Sequence, residues 1–140
     1  MRRLGTLCAV SVLVLLAVMW AFGCQANPAV GHYNRGNELA KAGQYEEAVA
    51  ELTKAIELDP NLAVAYNTRG TAHGIMGEND KAIADCTKAV ELDPKFALAY
   101  YNRAIAYHEL GEYDKAIADY TKAIGLDRKD ADAYYGRGDA

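Results

Sequence analysis

The chain repeats itself with a step of 34 residues, and that step limits what it can fold into more than any other feature. Ala55-Ile56-Glu57-Leu58-Asp59-Pro60, Ala89-Val90-Glu91-Leu92-Asp93-Pro94 and Ala123-Ile124-Gly125-Leu126-Asp127-Arg128 stand 34 residues apart. A second phrase keeps the same step: Arg35-Gly36, Arg69-Gly70, Arg103-Ala104 and Arg137-Gly138. A third is Gly43-Gln44-Tyr45, Gly77-Glu78-Asn79 and Gly111-Glu112-Tyr113. Three phrases in one phase exclude coincidence. A unit of this size cannot bury its apolar face alone, so its copies must stack on one another as a solenoid.

Each unit carries two apolar stripes at helical spacing. In the third they are Tyr100, Ala104, Tyr107 and then Ala116, Ile117, Tyr120, Ile124. Gly111 between them ends the first helix, because glycine accepts the left-handed conformation that follows a helix. Asp-Pro ends the second helix in the first two units, because a residue before proline avoids the α region. Alanines at 48, 55, 82, 89, 116 and 123 allow the two helices to approach closely. The expected fold class is all-α, a helix-turn-helix solenoid.

The period and the pattern of Tyr, Gly or Ala, central Ala and terminal Pro resemble the tetratricopeptide repeat. The resemblance covers residues 29–140. It divides them into repeats at 29–62, 63–96 and 97–130, with a partial fourth at 131–140. The fourth begins a helix that lacks a partner, so the sequence reads as a truncated array or a fragment of a longer one. Arg137-Gly138-Asp139 resembles an integrin-binding triplet, but its phase matches Arg35-Gly36-Asn37, and the repeat accounts for it.

Members of the family bind peptides or partner helices along the first helices of their repeats. By position, the resemblance implies a groove of Tyr33, Asn37 and Ala40, then Asn67, Thr71 and Gly74, then Tyr101, Ile105 and His108, and finally Tyr135. One subtype of the family clamps a terminal carboxylate with Lys and Asn. Here Asn37 matches that pattern, but Tyr33, Thr68 and Tyr101 do not, and the carboxylate clamp is rejected. Groove residues of these types offer large contact area and adaptable hydrogen bonds; the competing reading is an ordinary solvated helix face.

Arginine at 35, 69 and 103 replaces the leucine usual in the family, and Glu51, Asp85 and Asp119 recur with the same step. The shared period predicts a ladder of Arg–carboxylate pairs through the stack, since guanidinium suits bidentate contact with carboxylate. An anionic ligand on the Arg row is the alternative. Cys86 occupies a packing position, that of Leu52 and Tyr120, and reads as an inert thiol. His32, His73 and His108 share no helical ligand spacing, so no metal is expected. No phosphate-cradling loop is present, and no cofactor is expected. The only serine is Ser11. Nothing resembles a catalytic constellation, so the expectation is not an enzyme.

The first 23 residues differ from the rest. Arg2 and Arg3 precede an apolar stretch from Leu4 to Gly23, and all 19 acidic residues follow it, against 13 of the 15 basic ones. Residues 24–140 therefore carry a balance of −6, a poor surface for phosphate backbones. No nucleic-acid partner is expected. A basic start, an apolar segment and small residues before a cut site define an export signal. Ala21-Phe22-Gly23-Cys24 resembles a bacterial lipobox, which implies lipidation at Cys24, although Ala21 departs from the usual Leu. Leu4–Gly23 is also long enough for an uncleaved membrane anchor, and ordinary cleavage to a soluble product is the third reading. All three imply export to the bacterial cell envelope, on the far side of the cytoplasmic membrane. Gln25, rather than Asp, after the cysteine points toward the outer membrane. Residues 1–23 are thus signal or anchor and 24–28 a short linker. The expected function is a non-catalytic scaffold for other proteins or peptides; the alternative is the repeat-bearing end of a longer enzyme or secretion component.

Overall fold

The structure is a computed structural model and describes residues 27–127 and 136–138. The leader, Cys24 and Tyr135 lie outside the described residues, as does most of the partial fourth repeat.

Among the described residues six helices alternate as first and second members of three pairs. They are α1 (Pro28–Lys41), α2 (Tyr45–Leu58), α3 (Ala63–Ile75), α4 (Asn79–Leu92), α5 (Ala97–Glu109) and α6 (Tyr113–Leu126). Residues 136–138 are helical too. Asn27 caps α1, its Oδ1 accepting from the Ala29 amide at 3.0 Å, and Pro28 takes the first helical position, where its missing N–H is no loss.

The turn inside each pair is the same each time, for one physical reason. Gly43, Gly77 and Gly111 have φ of 79°, 78° and 74°. That left-handed residue turns the next amide back on the helix. Gln44, Glu78 and Glu112 donate to the carbonyls of Leu39, His73 and Tyr107 at 2.9 Å. The glycine amides donate to Ala40, Gly74 and His108, completing the two-bond cap that satisfies carbonyls a helix end leaves open. The second helices end differently. Asp59 and Asp93 adopt extended backbone before proline. Their carboxylates accept from the amides of Asn61 and Lys95 at 3.1 and 3.0 Å.

Each pair closes on a small-residue seam. Ala48, Leu52 and Ala55 of α2 are fully buried, as are Cys86 and Ala89 of α4 and Ala116 and Ala123 of α6. Gly36 and Gly70 fit because they lack a side chain. A Cβ on Gly36 would lie 2.7 Å from Leu52 Cγ, and one on Gly70 would lie 2.9 Å from Cys86 Sγ and 3.2 Å from the Ala82 carbonyl. Within each repeat the first helix lies against the second, and each second helix lies against the next first helix. The first helices also meet one another, α1 with α3 and α3 with α5. Among the described residues no helix is long and apolar enough to cross a membrane.

Candidate functional site

Two arrangements repeat along the stack: a polar joint between repeats, and a series of notches between the first helices.

The joint is built on arginine. Arg69 on α3 grips Asp85 on α4 with two parallel bonds, Nε to Oδ2 at 2.8 Å and Nη2 to Oδ1 at 2.7 Å. Its Nη1 reaches back to Thr53 Oγ1 on α2, in the preceding repeat, at 2.9 Å. Arg103 repeats the pattern. Nε and Nη2 meet Asp119 at 2.6 and 2.8 Å, and Nη1 meets Thr87 of the preceding repeat at 3.1 Å. The guanidinium groups lie over Tyr66 and Tyr100 at 5.8 and 5.6 Å from the ring centroids. The carboxylates raise both arginines above the usual guanidinium pKa, against the opposing pull of burial.

The ladder has no first rung, which corrects the sequence expectation for Arg35 and Glu51. Arg35 is exposed and makes no ion pair among the described residues. Glu51 instead accepts from Lys54 Nζ at 2.8 Å and lies 2.7 Å from His32 Nδ1, and these two partners hold its carboxyl down at about 2. The cause lies in the residues around Arg35. His32 stands where Tyr66 and Tyr100 form the platform, and the described residues hold no earlier second helix to supply a threonine. Sequence reasoning missed Thr53 and Thr87, although they recur in step with the arginines.

Cys86 is fully buried, and burial first, then the neighbouring Asp85, pushes its thiol up to about 12. It packs as an apolar atom and is no nucleophile at ordinary pH. Among the described residues no group of His, Cys, Asp and Glu is placed to hold a metal ion.

The notches lie between successive first helices. One, of about 340 Å³, opens between α1, α3 and α5, with Asn37, Thr68, Thr71, Ile75, Leu98 and Asn102 in its wall. The second, of about 450 Å³, opens between α3 and α5 over Gly74, with Thr71, Ile75, Asn102, Ile105 and Glu109 around it. Asn102 joins them. Its Nδ2 donates to Asn67 Oδ1 at 2.9 Å and to Thr71 Oγ1 at 3.0 Å, locking two first helices together at the floor.

On α5 the lining face is rotated by about one residue from the face expected from sequence, while on α1 and α3 most of the expected residues line the notches. Asn37, Ala40, Thr71, Gly74 and Ile105 line the notches, as expected. Tyr33 packs on the Ala48–Leu52 cluster, and Tyr101 packs on Tyr120 at 5.7 Å between ring centroids. His108 meets Tyr113 edge-on at 5.3 Å. These three line neither notch. Asn67 borders the first notch but is 95% buried and serves the Asn102 lock. The residues missed are Thr68 and Asn102, Leu98, and Ile75 and Glu109, which form the adjoining stripe.

Family profiles match this architecture. One described as TPR repeat matches residues 36–77 and 75–111, and one described as Tetratricopeptide repeat matches residues 97–130. The chain belongs to the tetratricopeptide-repeat family. Among solved structures, the Arabidopsis OM64 TPR domain is 31% identical, with 81% of this chain and 96% of that chain covered at a TM-score of 0.79. The first TPR of Spaghetti (RPAP3), bound to the HSP90 peptide SRMEEVD, is 26% identical, with 84% and 94% covered at a TM-score of 0.80. The second TPR domain of human RPAP3, in complex with the HSP70 peptide SGPTIEEVD, is 28% identical, with 80% and 93% covered at a TM-score of 0.77. No curated protein sequence matches the chain. Tetratricopeptide domains are in general non-catalytic interaction modules, and structural neighbours of this one bind peptides.

Proposed function

We propose that the chain is a non-catalytic scaffold, exported to the bacterial cell envelope, that holds a peptide or helix of a partner protein along its first helices. The observation that carries this reading is the pair of notches. Ile75, Leu98 and Ile105 stand 58%, 49% and 38% exposed around them, where a monomer gains nothing by presenting apolar side chains together. The Asn102 lock fixes the floor beneath, so a ligand meets a preformed surface and less entropy is lost on binding. The neighbours that carry bound peptides support the same use of the fold.

The ligand differs from theirs. Those peptides end in Glu-Glu-Val-Asp. Here Tyr33, Thr68, Leu98 and Asn102 offer no cation, and Lys41, the one basic residue lining either notch, is paired with Glu38 at 2.9 Å. A displayed peptide library panned on the full chain tests the reading. Selected peptides should lose binding to Ile75→Asp and Leu98→Asp variants and keep it with Ile117→Asp, which alters an exposed residue of α6. Equal loss from all three, or none, overturns it.

Anchoring rests on the sequence before the described residues. Arg2-Arg3, the apolar stretch and Gly23-Cys24 support lipidation at Cys24, with the solenoid starting at Pro28, within about 20 Å of the anchor. Intact mass of the membrane-extracted protein checks it. A chain starting at Cys24 with added acyl mass, absent from Cys24→Ala, is the expected result; a full-length unmodified mass means a retained anchor instead.

A further inference from the structure

The larger notch has a feature the smaller one lacks. Its floor is Gly74, where the equivalent positions of the other repeats carry Ala40 and His108. A Cβ there would meet only Ala82 Cβ, at 3.7 Å, so the missing side chain leaves open depth rather than relieving a clash. Ile75, Ile105 and Ala106 make apolar walls above this floor. At the lip stands Glu109, exposed and without an ion pair among the described residues, and it is the only charged residue in the lining.

The backbone adds to that charge. Both α3 and α5 end at this notch, at Ile75 and Glu109. Two helix C-termini converge there, and each contributes partial negative charge from its last carbonyls. The N-terminus of α4 also reaches the rim at Asn79, but its first turn carries Asp80, which offsets its positive end. Nearby Glu78 is matched by Lys81 at 2.8 Å. The first notch is different, because Lys41 and Glu38 there cancel each other.

An apolar shaft with a single negative group at its mouth complements a side chain with an apolar stem and a cationic head. On the reading that the first helices bind a peptide, we infer that the notch over Gly74 takes a lysine or arginine of the bound segment, its methylenes between Ile75 and Ile105 and its charge at Glu109. The preferred partner is therefore basic, opposite in sign to the peptides held by the neighbours. The net charge of −6 on residues 24–140 favours the same partner at long range.

The test uses the full chain in detergent micelles, followed by amide resonances while single-residue probes are added. The probes are N-acetyl-arginine amide, N-acetyl-lysine amide, the uncharged N-acetyl-norleucine amide and N-acetyl-glutamate amide. The expected result is saturable shifts at Gly70, Gly74 and Gly77 with the cationic probes, weaker ones with norleucine and none with glutamate. Glu109→Gln should weaken arginine about two- to fivefold, the range of a solvent-facing ion pair, and leave norleucine unchanged. Glu109 is exposed and unpaired, so this variant keeps its fold. Gly74→Leu, which fills the shaft, should abolish all the shifts. Arginine binding no tighter than norleucine, or unaltered by Glu109→Gln, overturns the inference. If only the Asn37 side-chain amide and the Thr68 backbone amide respond, the groove binds ligands but this notch is not a cation site. If neither notch responds to any probe, the groove reading falls with it.

Discussion

Replacing Arg69 by methionine leaves Asp85 buried with its main partner gone. The carboxylate side chain is only 10% exposed, and the nearest remaining basic side chain is His73, whose Nε2 lies 3.9 Å away. Breaking a buried pair from one side costs about 3–5 kcal/mol, because an uncompensated charge stays behind. Partial exposure of the site and the histidine place Arg69→Met at the lower end, about 3 kcal/mol. For a domain of this size that is a fall in Tm on the order of 15 °C. The reverse deletion is milder. In Asp85→Leu the guanidinium keeps Thr53 and the Tyr66 face and, at 19% exposure, reaches water with a small movement. The double variant removes both charges and should return to within about 1 kcal/mol of the parent, since apolar replacement of a buried pair is close to neutral. Arg35→Met is the internal control, the same substitution at the equivalent position of repeat one. Arg35 is exposed and unpaired among the described residues, so the expected change is within about 0.5 kcal/mol. Urea unfolding followed by circular dichroism reads all four. Strict additivity of the Arg69 and Asp85 effects, or an Arg35→Met loss as large as that of Arg69→Met, refutes the joint as described.

Two glycines four residues apart should respond oppositely to alanine. Gly74→Ala gains helix propensity and an ordinary contact, and raises stability by up to about 1 kcal/mol. Gly70→Ala presses on the Ala82 carbonyl and Cys86 Sγ and lowers it; thermal melts distinguish the signs. Glu51 has its pKa lowered to about 2 by Lys54 and His32, so its contribution is complete above the unfolded value of 4.5 and fades as pH falls toward 2. Acid titrations should show the parent losing more stability than Glu51→Gln across that window, and matching curves would refute the contact. Alkylation at pH 8 followed by peptide mapping should leave Cys86 unmodified until the chain is unfolded.

The fold was legible because its instructions recur. Gly43, Gly77 and Gly111 end helices wherever they stand, since the left-handed turn they permit is local. The alanine seams were legible for the same reason: one helix pair contains both sides of the contact. The groove was less so. Tyr33, Asn37 and Ala40 fit one helical stripe, yet Asn37 and Ala40 line a notch while Tyr33 turns onto the Ala48–Leu52 cluster. Which of them faces outward depends on how α1 crosses α2 and meets α3, and no residue within α1 encodes that. The arginine joint was half legible. Pairing Arg69 with Asp85 follows from one repeat, but the bond to Thr53 joins two repeats and needed their relative placement. The absence of a pair at Arg35 is a matter of neighbours: the same arginine without the tyrosine platform or a preceding threonine is a surface residue.

The joint also bears on how such a chain changes length. Arg69 takes its threonine from the repeat before it and its aspartate from its own repeat, and Arg103 does the same. The second repeat therefore carries both halves, Arg69 as the plug for its predecessor and Thr87 as the socket for its successor. An in-frame duplication of that repeat's 34 codons inherits a working junction on both sides, with no new surface to evolve. An insertion of any other length puts plug and socket out of register. The array can thus gain or lose units by unequal recombination between its own repeats, while each junction keeps the same polar lock.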